Sequence, residues 1–310
     1  MLATSTRCTE DGEQAGQSPA ALSHAVRRRL LRPAGSAALP ALPERWFHYV
    51  IELRCRRPKG LADGAHLAGR LRGALGQALM RAAAHDDGAA AALAALFGQG
   101  VRLSGRLEIP HPFVLHVGTA GEELVAKLTL IGFATDLLEP VLEGLLAGAA
   151  RGIGPGAGGP PLTVLSWRTE VCERLFAPER ARLALLEFET PYASRSGRWV
   201  MGTTANLMAR LAQRVSLLAR WQDCRAEADW GALNEGAGRL RFHDRDLRPR
   251  RWYRYSARQG RRIPMLGLAG TLLLEGDLTP YLPLLAIGET CHVGSHASLG
   301  MGRYRLRVMA

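Results

Sequence analysis

Residues 267 to 308, GLAGTLLLEGDLTPYLPLLAIGETCHVGSHASLGMGRYRLRV, run strand, helix, glycine-rich loop, strand without a break. Glycine stands at Gly288, Gly294, Gly300 and Gly302. Only glycine reaches positive φ cheaply or lets backbone N–H groups come close to a bulky anion, so a phosphate-bearing partner is the natural reading. Just upstream, residues 239 to 262 carry ten arginines against two aspartates, a local charge of +8. Together the two stretches describe a nucleic-acid platform at the C-terminal end.

The same order of elements is legible twice along the chain. In the first half, WFHYVIELRC reads as a strand and LAGRLRGALGQALMRAAA as a helix with a stripe at Leu67, Leu71, Leu75 and Leu79. The alanine-rich GAAAALAALFG adds a helical insert. Strands at PFVLHVG and ELVAKLTLIGFA follow, then a helix at LLEPVLEGLLAGAARG, and GIGPGAGGPP closes the half. In the second half, RLALLEFETP is a strand and ANLMARLAQRVSLLARWQ a long amphipathic helix. RWYRYSAR and IPMLGLAGTLLLEG form a strand pair around Gln259-Gly260, TPYLPLLAIGE is a short helix and RYRLRV the closing strand. This doubled order predicts an α+β protein of two tandem ferredoxin-like, RRM-like domains with a C-terminal glycine-rich loop. The boundaries drawn are residues 1–43, a basic and weakly ordered arm with one helix between Ser23 and Leu31; 44–160, the first domain with its insert; and 161–310, the second domain with the basic hairpin and the glycine loop.

With 310 residues and 47% hydrophobic content, both domains have enough apolar side chains for a core. The formal charge is +12, and Lys59 and Lys127 are the only lysines. Genomic GC content accounts for much of the preference for arginine, but not for the crowding of ten into 24 residues. The five cysteines are scattered, with no spacing that would hold zinc. No metal site and no cofactor are expected. No apolar run approaches the 18 residues of a membrane span, and a cytoplasmic location is expected.

Four stretches in order are similar to the CRISPR-associated endoribonucleases of the RAMP superfamily that process precursor CRISPR RNA: LRGALGQAL; PFVLHVG through KLTLIGFA with GIGPG; RYSARQ with GLAGTLLLEGDL; and LLAIGETCHVGSHASLGMGRY. The resemblance spans residues 45 to 308 and implies metal-independent cleavage within a CRISPR repeat, with a product that often stays bound. Its partners would be the repeat stem-loop and other subunits of a CRISPR effector complex. Where many relatives place a lysine after HVG, this chain has Ser295, with Arg303 nearby.

Metal-independent RNA cleavage uses the substrate's own 2'-hydroxyl as nucleophile. The protein must then orient that oxygen, move two protons and offset the phosphorane charge. By the resemblance, His66 holds the place of the catalytic histidine at the start of the first helix. His243, flanked by Arg241 and Asp244, is a second catalytic candidate, with Arg241 as charge stabiliser. His48, His116 and His292 read as packing or surface residues. The candidate RNA contacts are Arg70, Arg72, Arg248, Arg250, Arg251, Arg254, Arg258, Arg261 and Arg262, with Gly294, Ser295, His296, Ser298, Gly300, Gly302 and Arg303 of the loop. Alternation sets Arg251, Tyr253 and Tyr255 on one hairpin face and Trp252, Arg254 and Ser256 on the other, one of which must pack. The competing readings are a non-catalytic RNA-binding subunit of an effector complex and a generic basic nucleic-acid binder.

Overall fold

The computed structural model describes residues 21–59, 61, 66–105, 107–153, 159–193, 204–256 and 261–309. The elements run α1 (His24–Leu31), β1 (Gly35–Ala38), β2 (His48–Arg56), α2 (His66–Ala82), α3 (Asp87–Phe97), β3 (Val101–Ser104), β4 (Leu107–Ile109), β5 (Phe113–Ala120), β6 (Glu123–Ile131), α4 (Leu138–Arg151) and β7 (Thr163–Cys172). The second unit continues with β8 (Leu183–Tyr192), α5 (Thr204–Leu218), β9 (Cys224–Glu227), α6 (Trp230–Ala237), β10 (Arg241–His243), β11 (Arg248–Ser256), β12 (Arg261–Glu275), α7 (Leu282–Cys291) and β13 (Tyr304–Met309).

Both sheets have the strand order of a ferredoxin-like fold. The first is β5-β6-β2-β7, and the second places β13 beside β8, β8 beside β12, and β11 beside β12, with β10 as an added short strand. Every ladder in both is antiparallel. In the first unit Ile51, Leu53 and Cys55 alternate inward along β2, against the Leu67, Leu71, Leu75, Leu79 stripe of α2, which is buried throughout. The insert helix α3 and the β3–β4 hairpin are additions to the basic plan.

Two expectations about boundaries change. Strand β7 pairs along its length with β2, so the first domain ends beyond Cys172 and not at residue 160. In LTVLSWRTEV the inward pattern is weak because Leu165, Trp167 and Val171 sit on an edge strand that is largely exposed, and the proline and glycine run before it masks its start. The expected arm is also corrected for residues 21–43. Leu30, Leu39 and Leu42 are buried, and β1 pairs in parallel with β9. Arg29 Nε donates to Asp223 at 2.8 Å. Basic and proline-rich composition concealed three leucines whose partners lie far away in sequence. Residues 1–20 fall outside the described residues.

The two units are seamed by side chains from the second. The Gln222 amide accepts from Phe47 N at 3.2 Å and donates to Phe47 O at 2.8 Å, while Trp221 Nε1 donates to Pro110 O at 3.1 Å. Among the described residues no helix is long and apolar enough to cross a membrane.

Candidate nucleic-acid interface

The glycine loop, Val293 to Arg303, closes between α7 and β13 and reaches across the seam. On its own side it docks on the end of β8: Ser295 N donates to Ala193 O at 2.7 Å, Gly302 N to Pro191 O at 3.0 Å and Arg303 N to Thr190 Oγ1 at 2.8 Å. Internally, Leu299 and Met301 donate to His296 O, Gly300 to Ala297 O, and Val293 to Gly302 O. On the far side it packs on α2 and β5. A Cβ at Gly300 would stand 2.6 Å from the Ala68 methyl and 2.7 Å from Leu115 O, and one at Gly302 would collide with Val293 O. Both have positive φ, 85° and 70°. The glycines therefore serve close packing and left-handed backbone more than anion binding. The N–H groups of Ser295, Leu299, Gly300, Met301, Gly302 and Arg303 are already spent on protein acceptors, and Gly300 and Gly302 are buried. Ser295, His296 and Ser298 are half-buried and line the loop's accessible side.

Around this loop the chain gathers cations and histidines. His66 opens α2, two residues before the Ala68 that Gly300 touches. Burial, and then the neighbouring Arg70 charge, hold its pKa below the ordinary value. His116 of β5 is pushed down to about 4, first by burial and then by Arg303. His292 caps α7 with φ 59° and lies buried, its pKa well below normal through burial and then Arg214. Neither His116 Nδ1 nor His292 Nδ1 has a hydrogen-bond partner among the described residues. Beneath them Arg214 Nε donates to Cys291 O at 2.8 Å, which satisfies the last turn of α7 just before the loop. Arg303 pairs with Glu189 at 2.7 Å.

The basic hairpin arrives from the same end. Strand β12 begins at Arg261, but its pairing with β8 reaches only Leu268 opposite Tyr192. Residues 250–256 of β11 pair with the part of β12 beyond that point, so the arm overhangs the end of β8 where the loop docks. Arg251 and Tyr253 are exposed, whereas Trp252 and Arg254 are half-buried on the packed face. Arg248 is turned back onto the carbonyls of Arg245 and Leu247. Arg250 and Arg261 are exposed and Arg262 lies in β12, while Arg258 falls outside the described residues. On α2, Arg70 and Arg72 are half-buried beside the loop.

The structure does not bring His243 and Arg241 to this place. Both bond Glu275, at 3.0 and 2.9 Å, on the exposed strand β10. His243 stands opposite Leu273, itself opposite Leu185. The loop docks at Pro191, six residues along β8, about 20 Å away.

Sequence reasoning missed a row of charges across the first sheet, where His116, Lys127, Glu52 and Arg168 are successive cross-strand partners. Burial alone would raise the Glu52 pKa, but hydrogen bonds from Arg168, Lys127 and Arg54 hold it down to about 2. The signal was the polar alternation Glu52, Arg54, Arg56 in β2, whose partners are set only by register. Among the described residues no group of three His, Cys, Asp or Glu side chains is placed to hold a metal ion.

The family model for the CRISPR-associated endoribonuclease Cas6 matches residues 186–304, which are the second unit and its loop. No curated protein matches the chain. Among solved structures, a Cas6 product complex is similar at a TM-score of 0.55 and 19% identity, over 84% of this chain and 99% of that one. A Cas6 substrate mimic complex gives 0.53 and 19% over the same shares. Thermus thermophilus Cas6 gives 0.50 and 15%, again over 84% and 99%. At these identities the structural likeness is one of fold, and the family-model match lies within the second unit, from β8 through the glycine loop to the start of β13.

Proposed function

We propose that this endoribonuclease binds the repeat stem-loop of precursor CRISPR RNA and cuts it by 2'-hydroxyl attack without a metal ion, retaining the product and handing it to other subunits of an effector complex. The observation that carries this reading is the convergence of three elements at one end of the seam: the first turn of α2 with His66, the glycine loop, and the arginine arm of β11 and β12. An RNA stem laid along the arm meets exposed Arg250, Arg251 and Arg261 through its phosphates, which needs no base readout. His66, with its lowered pKa, is unprotonated near neutral pH and suited to take the 2'-hydroxyl proton. The 2'-oxygen then bonds to phosphorus as the bond to the 5'-oxygen breaks. This leaves a 2',3'-cyclic phosphate on one fragment and, after protonation, a 5'-hydroxyl on the other. Arginines at the seam offset the added charge of the phosphorane.

The test is incubation of the purified chain with repeat RNA in EDTA, alongside the same RNA carrying one 2'-deoxy sugar at the cut site. Cleavage of the first and tight binding without cleavage of the second are expected. Binding without cleavage of either RNA would replace this reading with the non-catalytic subunit, and equal affinity for duplex DNA would replace both with a generic binder.

A further inference from the structure

Arg72 and Arg254 come from different units, on α2 and β11, which pack together at the seam. Arg72 lies on α2, one turn past the contact with the loop, and Arg254 on the packed face of the overhanging arm. The Arg72 guanidinium lies over the Phe97 ring at 4.6 Å and near the Phe113 ring at 5.8 Å, so its orientation is fixed from behind by the insert helix α3 and by β5. Both Nε atoms are shut away from water with no hydrogen-bond partner among the described residues, and neither arginine joins a salt bridge there. Burial, followed by the Arg254 charge, draws the Arg72 pKa down to about 10.

Such an arrangement is costly for the protein alone. Two guanidiniums lie near each other and partly desolvated, with both Nε donors unmet and, among the described residues, no carboxylate paired with either. Two other groups of cations in this chain are answered by carboxylates: Glu52 pairs with Arg54, Lys127 and Arg168, and Glu189 with Arg303 and Arg305. An oxyanion with two or more acceptor oxygens removes the cost, because planar guanidinium forks accept phosphate in bidentate fashion.

We propose that Arg72 and Arg254 form a clamp for one phosphodiester of the bound RNA, spanning the seam between the two units, with Phe97 of the insert helix setting the fork of Arg72. The clamp rests on the reading that the partner is RNA, and it gives the alanine-rich insert a role: it supports a phosphate contact without touching RNA itself. One RNA phosphate held by both units also ties the hairpin arm to α2, and so keeps the His66 turn in place against the substrate.

The experiment is a methylphosphonate scan of repeat RNA blocked by a 2'-deoxy sugar at the cut site, measured against the wild-type chain, Arg254→Ala and Arg254→Lys. Wild type should bind the unmodified blocked RNA and lose about tenfold or more in affinity when one particular linkage is made neutral. Arg254→Ala should bind the unmodified RNA about that much more weakly and lose little more at that same linkage, while keeping the wild-type response at every other. Arg254→Lys should recover part of the affinity but not all, because it restores charge without the fork. Arg72→Ala would also undo the Phe97 stack, whereas Arg254 lies on a strand that overhangs the sheet and can be changed without that loss. Additive losses at every linkage in Arg254→Ala would overturn the clamp and leave the RNA reading intact. No binding of the blocked RNA by wild type would overturn both.

Discussion

The two ends of the second sheet carry similar side chains in opposite surroundings. At one end His243 and Arg241 share the carboxylate of Glu275 on an exposed short strand. At the other, His116, His292, Arg72, Arg254 and Arg214 crowd around the glycine loop, several with buried nitrogens that lack a partner among the described residues. A histidine beside a carboxylate in water is a settled surface pair, worth little. A histidine in a desolvated, cation-rich corner has its proton equilibrium moved, and perturbed groups cluster where chemistry is done. What separates the two ends is the surroundings that the seam creates and the composition does not.

The sharpest way to break this comparison is to remove one histidine from each end. His66→Ala should slow single-turnover cleavage of repeat RNA by about 10² to 10⁴ with affinity nearly unchanged, whereas His243→Ala should cost less than threefold. The sign of the pH dependence follows from the depressed pKa of His66: the wild-type rate rises as pH climbs through a value below 6.5 and then levels off, and His66→Ala lacks that limb. Equal losses in the two variants would erase the distinction between the ends.

A smaller effect belongs to the loop's backbone. Gly302→Ala places a side chain at φ 70° and against Val293 O, and should destabilise the fold by about 2 kcal/mol or more, read as a shifted urea midpoint. A neutral result would mean that the loop is not pinned as described.

The broadest effect is on stability against acid. His48 and His116 are held at about 4 in the folded chain, mainly by burial. In the unfolded chain they take up protons near 6.5, so that state binds more protons between the two values. Their contribution is therefore complete above about 6.5 and is lost as pH falls toward 4. Urea midpoints at pH 7 and pH 5 should show this loss, to which buried His292 adds with the same sign, and His116→Gln should flatten it in part by removing one of these groups. An unchanged slope in that variant would show that the His116 corner is wetter than the structure has it.

The paired units were legible because hydrophobic period is a local property. The stripe Leu67, Leu71, Leu75, Leu79 and the alternation of β2 follow from spacing alone. Strand β7 was not legible, because an exposed edge strand carries little inward pattern, and neither was the packing of Leu30, Leu39 and Leu42, whose partners are remote. Similarly, the sequence named His66 and His243 as alternatives, and nothing local separated them.

By itself the sequence determined the succession of strands and helices, the concentration of arginine near the C-terminal end, and the places where only glycine can stand. These are set by side-chain period, by charge and by backbone sterics within a few residues. The tertiary structure alone decided that the glycine loop lodges against α2 and β5, that α2 with Arg72 packs against the β11 strand that carries Arg254, and that His243 stands about 20 Å from the loop. Each of these depends on strand register and on the seam between two units, where burial and the sum of distant charges, unlike spacing along the chain, fix which groups are desolvated and which protons move.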